Sequence, residues 1–205
     1  MKIIFAFILF SILAPAEITE TALRSIYIPE NSIVIEGTDD ENQSVKLEFD
    51  KSKNIVKKHE KGEQSEFKLS EAPLFLRLFF FNAEKKKPES FSEEAKNLLE
   101  ALHNAGVDTE LVSMSVSDSD NKAALAVGKE RRFSDKNANF LEFSKDSKLP
   151  VMLKIGEESW LFSDYHRSLL PLAFPGKIKF FKNGAIAGEW NFLRSEFKSS
   201  GKPES

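Results

Sequence analysis

A chain of 205 residues with 41% hydrophobic residues and a net charge of −3 is long enough to bury a core. It is too acidic for a general nucleic-acid binder, whose phosphate contacts need a basic face. It contains no cysteine, which excludes thiol–disulfide exchange, cysteine peroxidase chemistry and a lipidated cysteine anchor. Phe outnumbers Tyr and Trp together by 19 to 4, so most of the aromatic surface lacks a polar handle and suits core packing.

Residues 1–16 have the layout of a secretory signal. Lys2 supplies the positive start, Ile3 to Leu13 an apolar run, and Ala14-Pro15-Ala16 the small residues of a cleavage site. The run falls short of the roughly 20 apolar residues of a membrane span, and Glu17, Thr19 and Glu20 follow at once. The pattern predicts export, to the periplasm or beyond, with an uncleaved anchor as the alternative. Cleavage after Ala16 would remove Lys2 and no acid, taking the net charge from −3 to −4.

Residues 17–70 read as a β-rich amino-terminal extension. Ser25 to Ile28 and Ser32 to Ile35 flank Pro29-Glu30-Asn31 as a hairpin would. Gly37 to Gln43 reads as an acidic loop. Val45, Leu47 and Phe49 alternate with Lys46 and Glu48, the period of a half-buried strand, and Ile55 to Lys58 returns it.

Residues 71–205 form the expected second domain. Leu74 to Phe81 is a nearly continuous apolar run, as in a strand buried on both faces. Ser90 and Glu93 make a capping box for a helix with an apolar stripe at Phe91, Ala95, Leu98, Leu99 and Leu102, closed by Gly106. Glu110 to Val116 reads as a strand, and Ala123 to Val127 as part of a helix capped by Asp118 or Ser119. Residues 133–148 fit either a helix or a loop. Pro150 to Ile155 reads as a strand and Trp160 to Leu172 as containing a short helix. Lys177 to Trp190 is a hairpin around Asn183-Gly184, which suits a type I′ turn, and Asn191 can cap a last helix.

This order of elements predicts an α/β fold, with a central mixed sheet flanked by helices. Three stretches make residues 71–205 resemble the thioredoxin-like family, in its exported thioredoxin-like and peroxiredoxin-like branch. Leu78 to Glu89 is similar to the family's first strand and active loop, with Pro88 in place and with Lys86 and Glu89 where the two cysteines would stand. Leu149 to Leu153 resembles a later strand, and Phe174-Pro175 before Asn183-Gly184 resembles the cis-proline strand and its hairpin. The resemblance implies a thioredoxin-like sandwich without redox activity. Its remaining groove, lined by Lys86, Pro88, Glu89 and Pro175, would bind a protein or peptide or serve as a scaffold.

Other chemistry is sparse. His59, His103 and His166 lack the spacing of metal ligands, and no glycine-rich phosphate loop is present. The expectation is therefore no metal, no cofactor and no assigned catalytic residue. Asp164 and His166, beside Ser163 and Tyr165, are the candidates for the alternative of a non-thiol enzyme, although no nucleophile elbow frames Ser163. An envelope structural protein is the third reading. The sequence leaves the partner and the oligomeric state open.

Overall fold

The computed structural model describes residues 32–50, 53–80, 88–117, 122–129, 138–165 and 174–198, and for 88–94, Ser115, Phe197 and Lys198 the backbone alone. The expected signal, the first half of the expected hairpin at 25–35 and Lys86 lie outside the described residues.

The described chain is mostly strand: β1 (Ser32–Asp39), β2 (Ser44–Asp50), β3 (Ile55–Glu60) and β4 (Glu63–Lys68) come first. A 3-10 turn (Leu69–Glu71), helix α1 (Leu74–Phe79) and helix α2 (Pro88–Asn104) follow. The remainder is β5 (Val112–Val116), β6 (Ala123–Val127), β7 (Phe140–Ser144), β8 (Pro150–Ile155), β9 (Glu158–Ser163), β10 (Lys177–Lys182) and β11 (Ala185–Lys198). All eleven strands belong to one sheet, in the order β4-β3-β2-β1-β11-β10-β9-β8-β7-β6-β5.

This topology corrects the thioredoxin-like expectation of fold and family. A thioredoxin-type sandwich needs parallel strands joined by crossovers on both sides of a mixed sheet. Here every neighbouring pair is antiparallel. The strands of residues 32–68 are continuous with those of 177–198, because β1 pairs with β11 along its length. The two helices lie on the single connection from one sheet edge, β4, to the other, β5.

Three local expectations fall with it. Leu74 to Phe79 is a helix, because an apolar run buried all round fits a core helix as well as a strand, and periodicity cannot separate them. Ala123 to Val127 is a strand despite its alanines. Ala124 and Ala126 are fully buried opposite Ser144 and Glu142, so small side chains are what that face admits. Strand β11 runs through Asn191 to Lys198 where a capped helix was expected. Of the stretch Trp160 to Leu172, read as containing a short helix, residues 160–163 lie in β9 and 166–172 lie outside the described residues.

The hairpin around Asn183-Gly184 forms as the sequence predicts, both residues taking the positive φ that a type I′ turn needs (54° and 77°). The helix stop at Gly106 also forms, at φ 82°.

In-register partners share a face, so one face of the sheet can be read strand by strand. Leu125, Leu141, Leu153, Phe162, Ile178, Phe192, Ile35, Leu47 and Val56 lie on it, all buried. Onto this inner face pack α1 and the stripe Ala95, Leu98 and Leu102 of α2. Phenylalanine does most of the filling. Phe79 meets Phe162 and Phe174 edge-on at 5.1 Å, and Phe80 stacks on Phe49 and Phe174 at 5.5 Å. Such pairs contribute about 0.5–1.5 kcal/mol each beyond burial.

The sheet is curled about α1. Trp190 in β11 donates its indole N–H to Glu60 in β3 at 2.6 Å, although β2 and β1 lie between them. In a flat sheet those strands would stand roughly 14 Å apart, at about 4.8 Å per step. Bulges bend the long strand β11 opposite Glu36/Gly37 and Phe180/Phe181. At the first, Gly37 is required, since a Cβ there would lie 2.1 Å from the Asn191 carbonyl oxygen.

Candidate ligand cavity

The curl leaves a cavity of about 400 Å³ at one end of the inner face. Its walls come from distant parts of the sequence. Lys58 and Glu60 stand on β3, Trp160 on β9, Phe180 on β10 and Trp190 on β11, with Pro73 and Phe75 of the α1 entry between them. Asp40, Lys61, Glu158, Ala187, Gly188 and Glu189 complete the lining.

The sequence sets these side chains by alternation. Trp160 faces Phe180 across β9 and β10, Phe180 faces Gly188, and Ile178 faces Trp190, so all share the inner face. Gly188 leaves room where a side chain would fill the space in front of Phe180. Lys58 and Glu60, opposite Leu47 and Val45, put charge on the same face at the end of β3.

Four rings form a continuous stack. Phe75 lies between Trp190 (5.6 Å) and Trp160 (5.5 Å), and Trp160 stacks in turn on Phe180 (5.4 Å). The chain has two tryptophans, and both stand here. The reading of the largely phenylalanine aromatic surface as suited to core packing did not single them out. A signal was present in the sequence, since an apolar residue follows Trp at the second position in both Trp160–Phe162 and Trp190–Phe192, but strands that are not adjacent in the sheet cannot be brought together by local pattern.

Most charges at the cavity are paired. Lys58 bonds Glu60 at 2.5 Å, and its ammonium stands 4.5 Å above the Trp190 ring. Lys61 bonds Glu41 at 3.0 Å and lies 3.9 Å from Asp39. The Glu41 hydrogen bond and charge, with Asp39 and Asp40, raise its pKa. Burial pushes the Glu189 carboxyl up, but hydrogen bonds from Lys177 and Asn191, the Lys177 charge and a bond from Lys179 outweigh it and hold the pKa below its ordinary value.

Of the four groove residues expected from the sequence, Pro175 is buried beside Phe174 and does not line this cavity. Pro88 and Glu89 open α2, where only their backbone is described, and Lys86 lies outside the described residues. The thioredoxin-like peptide-binding or scaffold function is withdrawn with the fold that implied it, because no thioredoxin sheet exists to shape that groove. Asp164 has a left-handed backbone (φ 57°), and His166 lies outside the described residues. Tyr165 donates its hydroxyl to the Pro150 carbonyl at 2.5 Å, and burial pushes its pKa well up, which suits a structural phenol. Among the described residues no group of three or more His, Asp or Glu side chains is gathered to hold a metal ion, and no helix is long and apolar enough to cross a membrane.

No protein-family model matches this sequence, and no curated protein sequence matches it. Two solved structures are similar over most of the chain. One, from Vibrio parahaemolyticus, is a domain named for outer membrane lipoprotein sorting, 9% identical at a TM-score of 0.44, covering 92% of this chain and 94% of its own. Another is a LolA-superfamily protein from Nitrosomonas europaea, 11% identical at a TM-score of 0.38, covering 93% of this chain and 96% of its own. At those scores and identities neither likeness assigns a ligand or an activity to this chain.

Proposed function

We propose that this is an exported, non-enzymatic binding protein whose cavity holds the apolar part of an amphiphile, with the polar part at the charged rim. Export rests on the signal-like layout of residues 1–16. One observation carries the binding reading: a cavity of about 400 Å³ walled by Phe75, Trp160, Phe180 and Trp190. That volume falls in the range of roughly 300–1,000 Å³ typical of small-molecule sites. Its four aromatic residues offer apolar surface, and six of its thirteen lining residues are charged. No Ser, His or Tyr lines it, so a hydroxyl–imidazole nucleophile–base pair is missing from the described lining.

The two tryptophans make the test direct. Titration of the full chain with dodecyl maltoside, below its micelle concentration, should give a saturable shift in tryptophan emission at one equivalent. A Phe180→Ala variant that keeps its circular dichroism spectrum should weaken binding about tenfold, through lost wall contact. Absence of any saturable change in the wild type would defeat the proposal.

A further inference from the structure

We infer that the polar end of the ligand is a cation, an amine or quaternary ammonium group, and that the half-buried Glu158 carboxylate at the cavity wall receives it; this rests on the amphiphile-binding reading above.

The inference follows from which charges at the cavity are already satisfied. Both lysines are spent: Lys58 on Glu60 at 2.5 Å and Lys61 on Glu41 at 3.0 Å. Glu189 is held from the opposite side by Lys177 and Lys179 at 2.8 and 3.4 Å. Glu158 is different. It stands two residues before Trp160, on the same face, and among the described residues no hydrogen bond or ion pair reaches its carboxylate. Lys182, its cross-strand neighbour, is exposed and makes no ion pair with it.

Across the cavity the balance leans the same way. Asp40 lines it without an ion pair, and Asp39 beside it is buried, its Oδ2 lacking a hydrogen-bond donor and facing the Lys61 ammonium at 3.9 Å. An anionic head would meet these carboxylates with no free lysine to receive it. A cationic head would meet an open carboxylate beside the Trp160–Phe180 ring pair. The protein itself shows that a ring here accepts such a group, because the Lys58 ammonium lies 4.5 Å over Trp190.

The experiment compares three probes with the same tail on the full chain: dodecyltrimethylammonium, dodecyl maltoside and dodecyl phosphate, each below its micelle concentration, followed by tryptophan emission. The expected order is cation, neutral, anion, with the cation about tenfold tighter than the neutral probe at low salt. Glu158→Gln should remove most of that preference and leave the neutral probe unchanged. Glu66→Gln makes the same charge change on the outer face of β4, where Glu66 pairs with Lys57, and should leave the preference intact. Equal binding of all three probes, or equal loss of preference in both variants, would overturn the cation assignment while keeping the amphiphile reading. Binding of none would defeat the amphiphile reading itself.

Discussion

Two carboxylates of the sheet, Glu60 at the end of β3 and Glu142 within β7, each hold a lysine, and they stand in opposite circumstances. Glu60 is on the inner face, where alternation should place an apolar residue, yet it remains about a quarter exposed because the cavity opens beside it. Glu142 is on the outer face, where alternation should leave it in water, yet it is completely buried. It accepts from Lys129 at 3.2 Å and from Ser117 at 3.1 Å, and Lys129 also stands 4.7 Å over the Phe140 ring. Strand periodicity fixes which face a residue takes. What covers that face decides whether a charge there is costly.

The comparison can be broken most readily at Glu142. Glu142→Ala removes a buried carboxylate from both the Lys129 ammonium and the Ser117 hydroxyl and should cost about 3–5 kcal/mol in urea unfolding. Replacing both partners by apolar residues, Glu142→Leu with Lys129→Met, should recover much of that loss. Glu60→Ala should cost less, about 1 kcal/mol, since water can reach both Lys58 and the Trp190 indole. Equal costs at the two sites would show that burial does not separate them.

The smallest effect concerns Glu189, whose pKa is depressed. A depressed carboxyl adds stability above its unfolded pKa, and that gain is lost as pH falls through the folded value. Glu189→Gln should therefore be destabilised by under about 1 kcal/mol at neutral pH. The difference from wild type should shrink below the ordinary carboxyl value of 4.5 and vanish in stronger acid, as read from unfolding midpoints across pH.

Local chemistry made part of this molecule readable from sequence. The Asn183-Gly184 turn, the alternation at Val45–Phe49, the strand at Pro150–Ile155 and the glycine stop at Gly106 each depend on residues near one another. The apolar run at Leu74–Phe79 misled because burial on all sides erases the periodicity that distinguishes a helix from a strand. The alanines of β6 misled because the packing at Glu142 overrides their helical preference. Beyond residue 190 the alternation of Trp190 and Phe192 continues across a bulge at Leu193, which breaks the period of two and resembled a helical stripe. The cavity was not legible at all. Its walls depend on sheet order and curl, and the thioredoxin resemblance supplied a different order.

The pairing of β1 with β11 also bears on how the chain becomes a protein. Ser32 finds its partner in Lys198, so the strand made first among those described waits for the strand made last. Contacts this distant in sequence make folding slow, because a long loop must close before they form. The sheet cannot be completed while the ribosome still holds its final strand. Until β11 has been made, β1 has only β2 to pair with.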